Sequence, residues 1–495
     1  MTFKDKNIVV VGLARSGTGA ANLLSALGAK VTITDNKSRS SLEENVKGLS
    51  PDVKVITDGN PLEVFDAADM VVISPGVPLT IPPLAGAKAK GVPIIGELEL
   101  AYQVIKSEVG AIHASPLQIH EPLFIGITGT NGKSTTTMLV DLMLKEAGFN
   151  TLLGGNIGIA LTEEILRFVE AGLKPAPTLP DFVVAEISSF QLETIKDFRP
   201  KIAAILNITP DHLDRYDGMD DYVGAKARIF ENQTPEDFLI LNADDPELLK
   251  VRSEKLEVRS EELPQIAYFS RKKEVEGIYL KDGIIYCSLF NFLLPTSHFP
   301  LISQNEIKIR GVHNIENAMA ASLSALAAGC SIDAVRKVLE TFPGLEHRLE
   351  FAGEIKGVRF VNDSKGTNVG AVLKSLEGFE NVILIMGGLD KGSDFSVLKD
   401  LVKQRVISLI LIGKAKDKIA GALGDAAETF MAKDLEAAVE LSLTKASAGD
   451  TVLLSPGCAS FDMFRDFEDR GRKFKEAVRK LVSSQIDPVQ NEKKN

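Results

Sequence analysis

The chain has no tryptophan and only three cysteines among 495 residues. Cys287, Cys330 and Cys458 lie far apart, so there is no CxxC pair for a metal or a redox disulfide. A sparse, odd count fits a reducing compartment. Long basic runs are lacking too. The 56 Lys and Arg against 67 Asp and Glu give a net charge of -11, which disfavours a broad nucleic-acid surface. The mixed stretches 259–262 and 271–276 read as solvated surface. No apolar run reaches the length of a membrane span. The start, Met1-Thr2-Phe3-Lys4-Asp5-Lys6, lacks a signal-peptide layout. The expected location is the cytoplasm, with neither nucleic acid nor membrane as partner.

What is present is a soluble globular composition, 44% hydrophobic and 25% charged, on a length that suggests about three domains. Short apolar runs alternate with helical patterns, the signature of parallel α/β sheets. Strands are expected at 7–13, 30–35, 69–74 and 92–95, with a helix over 16–27. The segment 107–122 has no clear period and reads as an insertion or linker. A second unit has strands at 123–128, 182–186, 201–207, 238–242 and 266–269, helices at 133–147 and 314–328, and a hairpin region at 283–294. A third begins near 343 with strands at 359–362, 381–386, 406–412 and 451–455, and ends in a helix over 466–482. The expected domains are 1–98, 99–343 and 344–495.

The sharpest motif is Gly126-Ile-Thr-Gly129-Thr-Asn-Gly132-Lys133-Ser134, between a strand and a helix. Glycines let backbone N–H groups close around phosphates, and the helix N-terminus adds a favourable dipole. Lys133 suits β/γ-phosphates and Ser134 suits Mg²⁺. Ile127 stands where the strict phosphate-loop pattern has glycine, so the loop is a variant. An earlier turn, Gly12-Leu-Ala-Arg-Ser-Gly17-Thr-Gly19, with Asp35 ending the next strand, is similar to a dinucleotide fingerprint. Ala14 replaces its middle glycine and hinders pyrophosphate approach, so a different nucleotide ligand fits better, or the turn is merely structural. Glu186 ends a strand, where an acid either faces the ligand crevice and holds Mg²⁺ or caps a helix. His212, in Asn207-Ile-Thr-Pro-Asp211-His212-Leu-Asp214-Arg215, is a metal or phosphate candidate. By periodicity alone Lys226 is an exposed helix lysine. Three polar loops, 362–368, 387–392 and 455–462, follow three strands of the last unit and suggest a binding face.

Together these motifs resemble the Mur ligase family. The resemblance rests on 126–135, Glu186-Ile-Ser-Ser-Phe-Gln-Leu, Thr209-Pro-Asp-His-Leu-Asp-Arg-Tyr, the Lys226 segment, His313-Asn314-Ile-Glu-Asn317, Leu345-Glu-His347-Arg348, Asn362-Asp-Ser-Lys365 and 455–462, and it covers nearly the whole chain. It implies an α/β fold of three domains: a Rossmann-like N-terminal domain, a central P-loop ATPase-type domain and a Rossmann-like C-terminal domain. It implies an ATP-dependent ligase that adds D-glutamate to UDP-N-acetylmuramoyl-L-alanine through an acyl phosphate, as a monomer.

The residue roles follow from the same resemblance. ATP is expected at Gly129, Thr130, Asn131, Gly132, Lys133, Ser134, Thr135, Asn317, Arg348, Asp363 and Lys365. The UDP-substrate is expected at Gly12, Arg15, Ser16, Asp35, Asn36, Ser74, Gly76 and Asn156. D-glutamate is expected at Thr367, Lys391, Ser460 and Phe467. Ser134 and Glu186 match one Mg²⁺ site. His212 matches a second with Lys226, the lysine that CO₂ converts to a carbamate. Lys133, His212 and Lys226 are the implied catalytic residues. Two other classes stay open: a sister ligase, such as a folylpolyglutamate-type synthetase or another Mur enzyme, and a non-catalytic nucleotide-binding protein. Lys391 and the 455–462 loop weigh against the first. Lys133, Glu186, His212 and Lys226 weigh against the second.

Overall fold

The computed structural model describes residues 2–112, 121–171, 179–212, 215–251, 263–288, 298–390 and 392–486. The chain divides into two compact units, one of residues 1–307 and 316–341, the other of 308–315 and 342–495. Three sheets carry the architecture.

The first sheet is all parallel, in the spatial order Lys54–Ile56, Lys30–Thr34, Asn7–Val11, Met70–Ile73, Ile94–Gly96. Its central strands are continuous apolar runs because helices cover both faces. The second sheet runs His298–Ser303, Ile284–Ser288, Gly277–Lys281, Gln265–Ser270, Phe238–Asn242, Ile202–Ile205, Leu123–Thr128, Phe182–Glu186, Thr151–Gly155. Only the pairings of its first three strands are antiparallel. The first two sheets belong to one unit. Helix Arg15–Ala26 packs on helix Leu161–Ala171, where a Cβ on Gly19 would lie 2.8 Å from Thr162 Oγ1. Buried Glu97 seals this contact by accepting from Thr162 N and Oγ1 at 2.9 and 3.0 Å. The third sheet, in the second unit, is ordered Glu350–Ile355, Val358–Asn362, Thr451–Leu454, Val382–Gly387, Val406–Ile412, Glu428–Met431, with only the first pairing antiparallel.

Several expectations need correcting. Helix Glu97–Ile112 runs into the segment read as linker from 107, because Leu98, Ala101, Val104 and Ile105 form a buried stripe at helical spacing. Residues 113–120 lie outside the described ones. The hairpin turns at Asp282 and Gly283, both with positive φ, so it starts at Gly277 rather than at 283. Residues 289–294 of that expected hairpin lie outside the described ones. Thr151–Gly155, Glu350–Ile355, Lys54–Ile56, His298–Ser303 and Glu428–Met431 are strands that patterning missed. Each stands at or next to a sheet edge, where short length or partial exposure breaks the apolar run. Among the described residues no helix is long and apolar enough to cross a membrane.

Candidate active site

The first sheet reverses its strand order between Asn7–Val11 and Met70–Ile73. Ligands of open parallel sheets bind at the carboxyl ends of strands beside such a point. Gly12, Arg15 and Ser16 follow the first of these strands, and Ser74 and Gly76 follow the second. Asp35 and Asn36 follow the neighbouring strand Lys30–Thr34. Seven of the expected UDP-substrate residues therefore share one edge. Ser74 Oγ donates to Gly12 O at 2.9 Å, closing the two loops on each other. Gly17 is fixed by close approach: a Cβ there would sit 1.8 Å from Gly12 O. Asp35 accepts from Leu13 N at 2.7 Å and Lys37 N at 2.9 Å, so its carboxylate also shapes the turn. Asn156 is elsewhere, after Thr151–Gly155, and donates to Glu186 Oε1 at 2.9 Å.

In the second sheet, Leu123–Thr128 is flanked by Ile202–Ile205 and Phe182–Glu186. It runs into the loop 129–132 and then helix Lys133–Glu146. Gly132 has φ 85°, and a Cβ on it would lie 2.1 Å from Asn317 Oδ1. Asn317 is thus seated against the phosphate loop, although it is 185 positions further along the chain. Asn207, which sequence reasoning did not single out, stitches the loop. Its side chain accepts from Asn131 N at 2.8 Å and donates to Asn131 O at 3.1 Å, and its carbonyl accepts from Thr130 N at 2.9 Å. The available signal was its place at the end of the adjacent strand.

Lys133 Nζ folds onto the loop, donating to Gly129 O at 2.8 Å and Thr130 O at 2.9 Å. Ser134 and Thr135 are buried in the first helical turn. Glu186 is 3% exposed. Asn156 occupies one of its carboxylate oxygens, and Oε2 is buried with no hydrogen-bond partner. A desolvated carboxylate oxygen of this kind suits a cation. Among the described residues no cluster of three or more His, Cys, Asp or Glu could hold a metal alone. One carboxylate and one hydroxyl completed by phosphate oxygens and water is the donor set Mg²⁺ takes, so the residues fit that ion.

Lys226 overturns its reading as an exposed helix lysine: it is 2% exposed. Its Nζ donates to Gly129 O at 3.0 Å and lies 4.7 Å from the Tyr222 ring centroid, whose hydroxyl is 3.1 Å from Thr130 Oγ1. Burial lowers its pKa well below the usual lysine value, helped by the charge of Lys133 and opposed by Asp211. His212 has φ 54°, an uncommon conformation for a non-glycine residue. Its ring meets Phe190 edge-on at 4.7 Å and lies 6.4 Å from the Tyr222 ring. Lys133, Ser134, Lys226 and the loop thus converge on one locus, with His212 near Tyr222.

In the second unit, Asp363, Lys365 and Thr367 follow Val358–Asn362, and Ser460 lies beyond Thr451–Leu454. Asp363 Oδ2 accepts from Ser375 Oγ at 2.7 Å and Ser455 Oγ at 2.8 Å, tying the two loops together. Burial raises its pKa to about 6, against the two hydroxyls and Arg348. Lys365 Nζ stands 3.8 Å from the Phe467 ring centroid, and Ser364 Oγ donates to Phe467 O at 2.8 Å. Ser460 is buried at 2% exposure. Lys391 lies outside the described residues.

A largely parallel sheet, a phosphate-loop sequence with its lysine, and a buried acid at the neighbouring strand end are the features of a nucleoside-triphosphate-using α/β enzyme. Comparison with known proteins narrows the class. Family models match along the chain: "Mur ligase MurD-like, N-terminal domain" over 6–96, "Mur ligase middle domain" over 127–325 and "Mur ligase, glutamate ligase domain" over 347–458. The UDP-N-acetylmuramoylalanine–D-glutamate ligase of Geotalea daltonii is 45% identical over 97% of this chain and 99% of its own. That of Koribacter versatilis is 42% identical over 98% and 100%. The UDP-N-acetylmuramate–alanine ligase MurC of Thermotoga maritima shares the fold with TM-score 0.57 and 19% identity, over 97% of this chain and 100% of its own. The MurF ligase of the same organism, in complex with ADP, does so with TM-score 0.58 and 14% identity, over 92% and 95%. The chain belongs to the Mur ligase family.

Proposed function

We propose that the chain joins D-glutamate to UDP-N-acetylmuramoyl-L-alanine with ATP, through an acyl phosphate, in cytoplasmic peptidoglycan precursor synthesis, and that it works as a monomer. The observation that carries this reading is likeness over 97–98% of the chain to ligases named for this reaction, at 41–45% identity. A carboxylate is a poor electrophile because oxide would have to leave. Phosphorylation supplies phosphate as the leaving group, and the D-glutamate amine then displaces it to form the amide.

The site residues take these roles. Gly129, Thr130, Asn131, Gly132 and Thr135 cradle the triphosphate, with Lys133 swinging from the loop carbonyls to the phosphates. Ser134 and Glu186 hold one Mg²⁺, and His212 and Lys226 a second. Bound there, Mg²⁺ neutralises and orients the phosphate oxygens. Lys226 as an ammonium is no metal ligand. Its low pKa favours the neutral amine, the form that adds CO₂ to give an anionic carbamate. Gly12, Arg15, Ser16, Asp35, Asn36, Ser74 and Gly76 take the UDP end, and Asn156 the muramoyl part. Asn317, Arg348, Asp363 and Lys365 complete the nucleotide site. Thr367, Lys391, Ser460 and Phe467 hold D-glutamate, with Lys391 as counter-charge to its side-chain carboxylate.

The test is phosphate release from Mg-ATP and UDP-N-acetylmuramoyl-L-alanine with D-glutamate, L-glutamate, L-alanine or meso-diaminopimelate offered singly. Release with D-glutamate alone, with the amide product seen by mass, is expected. Release with another amino acid refutes the assignment of the amino acid; none with any of the four refutes the reaction.

A further inference from the structure

Arg215 joins three segments of the first unit and has no role in the reading above. Its Nη1 donates to Pro75 O at 3.2 Å, in the loop that follows Met70–Ile73. Its Nη2 donates to Glu193 Oε2 at 2.6 Å. The guanidinium carbon lies 4.1 Å from the Phe190 ring centroid. The same ring meets the imidazole of His212, and the backbone N–H of Arg215 donates to His212 O at 3.0 Å. The anchor is itself held. Tyr216 OH donates to Glu193 Oε1 at 2.6 Å, and Arg228 Nη1 donates to Glu193 O at 2.5 Å.

We propose that Arg215 is a positioning residue, one that holds the 74–76 loop, and with it the UDP end of the substrate, in register with the segment carrying His212. This rests on the proposed function, which places the UDP end at Ser74 and Gly76. Only a planar fork serves a carboxylate with one nitrogen and a carbonyl with another while stacking its face on a ring; lysine offers a single point charge. Pro75 O in turn belongs to the loop whose Ser74 holds Gly12 O. The chain of contacts therefore runs from the first glycine turn to His212 without touching ATP. Arg215 acts through these groups rather than on the reacting atoms.

The experiment measures KM and kcat of full-length Arg215→Met, Arg215→Lys and Glu193→Gln, varying UDP-N-acetylmuramoyl-L-alanine and ATP separately. For Arg215→Met the KM of the UDP-substrate is expected to rise about tenfold or more, the scale of a lost charge-assisted hydrogen bond, while the KM of ATP moves less than about twofold. Arg215→Lys, which keeps one donor, recovers part of the loss, and Glu193→Gln reproduces it in weaker form. Should Arg215→Met not fold, the other two variants decide. Equal rises in both KM values, or a fall in kcat alone, overturn the proposal in favour of general scaffolding; an unchanged KM for the UDP-substrate overturns it outright. If wild type turns over no UDP-substrate, the functional reading fails and this inference falls with it. If wild type is active and the variants match it, the inference alone fails.

Discussion

Asp363→Asn should separate stability from activity in a pH-dependent way. The carboxyl is buried, and one oxygen takes both the Ser375 and Ser455 hydroxyls. An asparagine carbonyl can accept the same two bonds; the bond accepted from the Leu349 backbone N–H is weakened at a cost that does not vary with pH, and the ionisable proton is lost. Burial raises the pKa from 3.8 to about 6 in the fold. The native state thus holds the proton more tightly than the unfolded chain does. Such a group is neutral in both states below pH 4 and contributes nothing against folding there. As pH rises through the window from about 4 to 6, the folded wild type loses stability. The 3.8-to-6 difference, at about 1.36 kcal/mol per unit, amounts to about 3 kcal/mol. An asparagine at this position carries no such penalty. Relative to its value below pH 4, the stability gap should therefore move in the variant's favour, by roughly 1–2 kcal/mol at pH 5 and by about 3 kcal/mol at pH 8. With no tryptophan in the chain, circular dichroism in a urea series is the natural readout. At pH 8 the variant should also have lost turnover, since Asp363 is assigned to the nucleotide. A stability gap that does not change between pH 5 and 8, or a wild type more stable at pH 8, would refute the reasoning about burial.

Three further outcomes are expected. Lys226→Ala should be severely impaired in phosphate release and partly restored by added small carboxylates; normal activity without them would sink the carbamate. Lys133→Ala should lower turnover by roughly a thousandfold, the scale of losing a preorganised charge contact to the reacting group, and near-native turnover would remove the phosphate-loop assignment. Gly17→Ala places a methyl against Gly12 O and should cost about 1–3 kcal/mol in unfolding free energy. The same change should raise the KM for the UDP-substrate without altering that for ATP, and a silent variant would count against the first glycine turn as its binding edge.

Much of the fold was legible because parallel strands buried on both faces are short continuous apolar runs. Leu123–Thr128, Phe182–Glu186, Phe238–Asn242 and Val406–Ile412 coincide with their expected spans. The missed strands lack that signature. Glu428–Met431 is half exposed at a sheet edge, and Glu350–Ile355 pairs antiparallel with mixed burial, so neither shows an apolar run. Motifs singled out the loop 129–132 and Lys133, proposed for phosphate, because glycine spacing and a following lysine are local in sequence. Asn207 escaped because its role is to brace the loop from the neighbouring strand, a relation set by sheet order rather than by spacing.

Lys226 shows where residue patterns stop. Its helix is weakly amphipathic, and nothing local distinguishes a buried lysine from a solvated one. Only the fold brings its Nζ to the same carbonyl, Gly129 O, that Lys133 also contacts. Two ammonium groups on one oxygen in a desolvated site repel, and little solvent is left to screen them. Lys133 is the less buried of the two and donates to two loop carbonyls. Lys226, enclosed by Tyr222 and the loop, is the group pushed toward neutrality. A carbamate on Lys226 would turn repulsion from Lys133 into attraction, which is the electrostatic argument in favour of the proposed modification. The lowered pKa and the proximity to Lys133 are what this site offers in support of the proposed carbamate, and the Lys226→Ala rescue experiment tests it.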